Sequence, residues 1–111
     1  MPVSFARQVV TFRNVNEWFA TLGRRWAAAA ERRGAKILPP ALEPDVAAEL
    51  LELARVAAHT KERRFAPLAS FTAGLAVERL RSAKPGMSVD DAVAFIREIR
   101  EQLERESPEA S

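Results

Sequence analysis

Cysteine is absent from the 111-residue chain, and histidine occurs once, at His59. The first absence excludes disulfides, thiolate metal sites and a cysteine nucleophile together. The second would leave a zinc ion dependent on carboxylates for most of its ligands, an uncommon donor set, so no metal site is expected. Glycine is scarce, at 4 residues, and none forms a Gly-rich loop after a strand, so no phosphate-cradling loop is present. A Ser-His-acid triad is allowed by residue count, but there is no Gly-x-Ser-x-Gly elbow and no strand to carry one. No apolar run approaches the roughly 18 residues of a membrane span, and no secretory signal is visible. The expectation is a cytoplasmic protein with no cofactor and no membrane partner.

What is present favours helix. Hydrophobic residues make up 48% of the chain, many of them alanine, and charged residues 29%. Ala, Leu, Glu and Arg outnumber the β-branched residues, so the strong helix formers dominate. The length suits one small domain, since a single core organises about 100–150 residues. The net charge of +2 comes from alternating blocks: +5 over residues 1–36, −3 over 37–60, +4 over 61–84 and −4 over 85–111. Such blocks either set opposite charges on facing helices or make one end basic.

The opening, residues 1–13, has Val3, Phe5, Val9, Val10 and Phe12 but no clear helical stripe. It reads as an irregular arm: flexible, a short strand, or a segment docking in an apolar groove. A first helix is predicted over about residues 15–33. Asn14 and Glu17 form a capping-box pattern ahead of it, Val15, Trp18, Phe19, Leu22 and Trp26 make its apolar face, and Gly34 ends it. "AKILPPALEP" then breaks the helix, with Pro39 and Pro40 favouring an extended crossing. The second helix is predicted over 44–62, with Val46, Leu50, Leu53 and Ala57 on one stripe and Ala47, Leu51, Ala54 and Ala58 on another. A third is predicted over 67–82, opened by Pro67, with Leu68, Phe71, Leu75, Val77 and Leu80 inward and Gly74 marking close approach to another helix. The fourth is predicted over 88–106, capped by Ser88 with Asp91, its core face Val89, Val93, Ile96, Ile99 and Leu103. Residues 107–111 read as a disordered tail. The architecture expected is all-α: a compact bundle of four main helices in a single domain over 14–106.

Chemistry concentrates at the joint "HTKERRFAPL", residues 59–68. Read as a site, it binds an anion: the amides at the start of the Pro67 helix and its positive dipole end face His59, Arg63, Arg64 and Leu68. Read as structure, His59 and its basic neighbours complement the C-terminal dipole of the second helix. Trp18 and Trp26 read first as core residues. Trp18, Phe65 and Phe12 are the candidates for contact with a partner, because aromatic side chains are favoured at interface centres. His59 with Glu62 and Glu52 is the one cluster that could do acid–base work, and catalysis ranks low because charged neighbours at this spacing are common on helices. The basic blocks lack a helix-turn-helix spacing, a zinc finger or aromatic-basic alternation, and the acidic C-terminal block opposes nucleic-acid binding.

Taken together, "LLELARVAAHTKERRFAPLASFTAGLAVERL" resembles a small bacterial all-helical domain family of unknown function. The resemblance rests on Ala58-His59, the basic joint, Ala66-Pro67-Leu68, Phe71, Gly74 and Arg79, and "NEWFATLG" (Asn16 to Gly23) is similar to the family's opening Trp-containing helix. Members occur alone or appended to molybdenum cofactor guanylyltransferase domains. The resemblance implies an accessory role beside molybdenum cofactor assembly, not the transferase activity. The ranking that results is a non-catalytic accessory domain with a protein partner or a second copy of itself, then a module binding a small anion or nucleotide at the joint. Nucleic-acid binding and catalysis come last.

Overall fold

The computed structural model describes the backbone of residues 2–106 and the side chains of residues 16–106. It contains α1 (Pro2–Arg32), α2 (Pro44–Thr60), α3 (Phe65–Ala83) and α4 (Val89–Arg105), and no strand among the described residues. The all-α class with four helices is the one the apolar spacing predicts. The residues group into two compact units, Met1–Leu42 and Glu43–Ser111.

The first unit begins earlier than its sequence suggests. The helix expected from residue 15 starts at Pro2 and runs through Asn14, which is an interior residue and not a cap. Pro2 suits a first-turn position, where its missing N–H would be unpaired anyway. No Gly or Pro interrupts residues 3–22, and an interior Asn costs only about 0.7 kcal/mol against Ala. The side chains of the arm, Phe12 among them, lie outside the described residues. The other end is as expected: Gly34 takes φ 83°, its amide donates to the Glu31 carbonyl at 2.9 Å and the Ala35 amide to that of Ala30 at 2.9 Å. These two bonds are the Schellman closure, and only glycine adopts its backbone without strain.

The extended segment after Gly34 returns over its own helix. A Cβ at Gly23 would collide with the carbonyl oxygen of Pro40, and Pro39 lies beside it. Close approach, expected at Gly74, is therefore the business of Gly23. A Cβ at Gly74 would meet nothing within 4 Å.

In the second unit α2 is the middle helix, packed against both α3 and α4. Leu53 of α2, Val77 of α3, and Ala92 and Ile96 of α4 make the buried centre, with Leu50 and Phe95 packed around it. Large side chains such as Leu53 and Ile96 each contribute about 1.5–3 kcal/mol by leaving water. On α3 Val77 is buried as expected, but the stripe inward with it is Ala69 and Ala73, not Leu68, Phe71 and Leu75, which are 61%, 67% and 40% exposed. Both stripes repeat at the helical interval, and the alanine one wins because small side chains let α3 lie close to α2. Leu51 and Ile99, also expected inward, are exposed. The cap of α4 is as predicted: the Asp91 amide donates to the Ser88 hydroxyl at 3.0 Å and the Ser88 amide to the Asp91 carboxylate at 3.1 Å.

One charged residue sits inside. Glu49 of α2 is 5% exposed. Its Oε1 accepts from Arg97 Nε at 3.1 Å and its Oε2 from Arg100 Nε, both on α4. Arg100 also reaches Glu104 at 3.0 Å, Glu104 lies 3.7 Å from Arg55, and Arg55 pairs with Glu52 at 3.0 Å. Burial alone would raise the Glu49 pKa; the hydrogen bonds from Arg100 and Arg97 outweigh it and hold the carboxyl below its ordinary range. The sequence reading missed this group; its signals are Glu49 as a charge on the Val46–Leu50–Leu53 stripe and Arg100 as one between Ile96 and Leu103 on α4.

Two predictions follow from these contacts. Gly74→Ala raises the thermal midpoint by the equivalent of about 0.5–1 kcal/mol, whereas Gly23→Ala lowers it by displacing the Pro40 backbone; a rise in both would refute the crossing at Gly23. Glu49→Gln destabilises by about 2–4 kcal/mol, since it leaves the arginines facing a group without charge. A carboxyl whose folded pKa is depressed stabilises above its unfolded pKa, about 4.3, and that share is lost as pH falls through the folded value. Denaturant titrations between neutral pH and pH 3 should thus show the wild-type advantage over Glu49→Gln shrinking in acid.

Candidate functional site

The joint between α2 and α3 spans Lys61–Arg64. The Lys61 amide closes α2 on the Ala57 carbonyl at 3.1 Å. The next two amides matter most for an anion. Phe65 N–H donates to the Glu62 carbonyl at 3.0 Å and Ala66 N–H to that of Arg63 at 3.1 Å. α3 begins at Phe65, so Pro67 is its third residue and not its first. It contributes no donor. The first turn of α3 thus offers an anion no unoccupied amide at Phe65, Ala66 or Pro67, contrary to the expectation from sequence. What the joint retains is side-chain charge: His59, Arg63 and Arg64 are all exposed, and Arg64 donates to Glu62 across the turn.

The acid–base cluster does not assemble. Glu52 is held by Arg55 and Glu62 by Arg64, and among the described residues neither hydrogen-bonds His59. Glu49, the buried carboxylate, has both oxygens occupied by arginine. No group of three or more His, Asp or Glu residues that could hold a metal occurs among the described residues.

Beside the joint lies an open groove of about 350 Å³. Ala57 and Thr60 of α2, Phe65, Leu68 and Thr72 of α3 and Leu103 of α4 line it, with Lys61 and Glu106 as its charged members. Its lining is predominantly apolar, and the Thr72 hydroxyl is spent on the Ala69 carbonyl at 2.9 Å. The same rotation that turns Ala69 and Ala73 inward places Phe65 and Leu68 here. Two predicted residues, one from each list of candidates, thus meet in one feature. His59, Arg63 and Arg64 do not line it. The groove was not visible from sequence, because it needs the end of α4, distant along the chain, beside the α2–α3 joint.

Trp18, the third partner candidate, is 60% exposed, with its ring edge-to-face against Phe19 at 4.9 Å. Trp26 is exposed too, so the core role expected for the pair is not met. One helix and one extended segment have too little surface to enclose two indoles. A second depression, lined by Glu17, Trp18, Thr21, Leu22 and Arg25, belongs to α1 alone, and no polar groups from other elements converge on it.

Inorganic phosphate at millimolar concentration should leave the Phe65 and Ala66 amide resonances unmoved. A saturable shift in both would show that the turn opens to admit an anion.

The profile of the family described as "Domain of unknown function (DUF6457)" matches residues 12–110, and the chain belongs to that family. No curated protein and no solved structure matches the chain. Among the described residues, no helix is long and apolar enough to cross a membrane.

Proposed function

We propose that the protein is a non-catalytic accessory domain whose groove at the end of α2, α3 and α4 receives a segment of a partner protein. The observation that carries this reading is the groove itself: Phe65 and Leu68 stand part-exposed around an apolar hollow whose lining includes no histidine and a single carboxylate, Glu106. Partly buried aromatic and aliphatic side chains around a concavity are what interface anchors dock against. Lys61 within the lining, with Arg63 and Arg64 next along the joint, favours a segment carrying a large apolar side chain followed by a carboxylate. The molybdenum cofactor context rests on the resemblance of the α2–α3 region to domains that accompany molybdenum cofactor guanylyltransferases. Within that context such a transferase is the partner.

Anion or nucleotide binding at His59, Arg63 and Arg64 is the second reading. It is supported by the exposed basic side chains of the joint and weakened by the occupied amides of α3.

Calorimetric titration with a purified molybdenum cofactor guanylyltransferase tests the first reading. Phe65→Ala and Lys61→Glu should each weaken binding at least tenfold, roughly the size of an interface hot spot, while leaving the fold intact because both residues are exposed. Binding indifferent to both substitutions would remove the groove from the interface, and no binding would remove the proposed context.

A further inference from the structure

α3 is apolar on two opposite sides. Ala69, Ala73 and Val77 face the core of their unit, and Leu68, Phe71 and Leu75 stand exposed on the other side. A helix with one solvent-facing side ordinarily carries polar residues there; one that is apolar all round has neighbours on both sides. Gly74, on the outer side, adds a second sign. A glycine inside a helix costs about 1 kcal/mol against Ala, and the usual compensation is a close neighbour, yet a Cβ there would meet nothing.

The residues of this outer stripe identify what fits against it. They are disposed symmetrically about Phe71. Leu68 lies three positions before it and Leu75 four after; Pro67 lies four before and Gly74 three after; Arg64 lies seven before and Glu78 seven after. These offsets keep all of them within one helical stripe. When two copies of such a helix run antiparallel about a two-fold axis at Phe71, each residue before the axis meets one after it on the other copy. Leu68 then faces the second copy's Leu75, Pro67 seats its ring on the bare backbone of Gly74, and Arg64 faces Glu78. Phe71 meets its own equivalent at the axis. Every opposed pair is complementary. The ion pairs that Arg64 and Glu78 now make, with Glu62 and with Arg81 at 3.7 Å, have exposed side chains and are weak enough to be exchanged.

We propose that the protein forms a two-fold homodimer through the outer stripe of α3, packed antiparallel about Phe71, with Arg64 of each chain paired to Glu78 of the other. This goes beyond the partner-docking reading. It needs no other protein, and apart from Leu68 at their common edge it uses different residues from the groove. One helix pair is smaller than a standard interface, so the dimer dissociates in the micromolar range.

Sedimentation equilibrium of the full chain over micromolar to millimolar concentration tests it. The expected result is a concentration-dependent rise from 12.3 kDa to twice that mass. Phe71→Glu should abolish the rise without lowering the thermal midpoint of the dilute protein, because Phe71 is exposed in the single chain. Arg64→Glu and Glu78→Arg should each weaken dimerisation about tenfold or more, and the two together in one chain should restore it, since each copy then offers the reversed pair. A monomer at every concentration, or a dimer indifferent to Phe71→Glu, overturns the interface. Failure of the double reversal to recover what the single changes lost overturns the antiparallel register.

Discussion

The packing of α2 against α4 turns on a single carboxylate. Glu49 lies inside the apolar seam between them and accepts from two arginines one helical turn apart on α4. Taking a carboxylate out of water is costly, and a well-packed apolar residue could serve stability equally well. What the charge adds is direction. Two guanidinium groups on one carboxylate favour the rotation and axial offset in which Leu53 meets Ala92 and Ile96. The contacts at the centre of this unit are otherwise apolar, with Leu53, Val77, Ala92 and Ile96 buried among them.

That alignment also decides what reaches the surface. With α2 in the middle and α3 drawn close on its alanines, the large side chains of α3 are left outside. Phe65 and Leu68 border the groove, Phe71 and Leu75 the outer stripe. The unit has few buried large side chains and many exposed ones. Among the described residues, the carboxylates nearest the histidine are tied to arginines, and the buried one is tied twice.

Much of the fold was legible in the residue pattern. The Gly34 closure, the Ser88–Asp91 cap and the break at Pro39–Pro40 are local events, specified by residue type within a few positions. The start of α1 was misplaced because a capping pattern at Asn14 is a permission and not a command; nothing around it forbids helix. The inward side of α3 was misplaced because two stripes share one period, and hydrophobicity alone favours the larger residues. Close approach within the chain was assigned to Gly74 when it occurs at Gly23, since sequence cannot tell which glycine a distant carbonyl crosses.

The sequence by itself determined the class of secondary structure, the number of helices, the position of three of the four, and the absence of thiol chemistry. These follow from propensities, caps and breakers that act within a turn or two of the chain. Only the tertiary structure decided which stripe of each helix is buried, that Glu49 is enclosed by Arg97 and Arg100, and that Phe65, Leu68 and Leu103 line one groove. Each of these depends on the rotation and distance of segments far apart in sequence. Such quantities are set by side-chain volume and charge acting across the interface, and no local pattern records them.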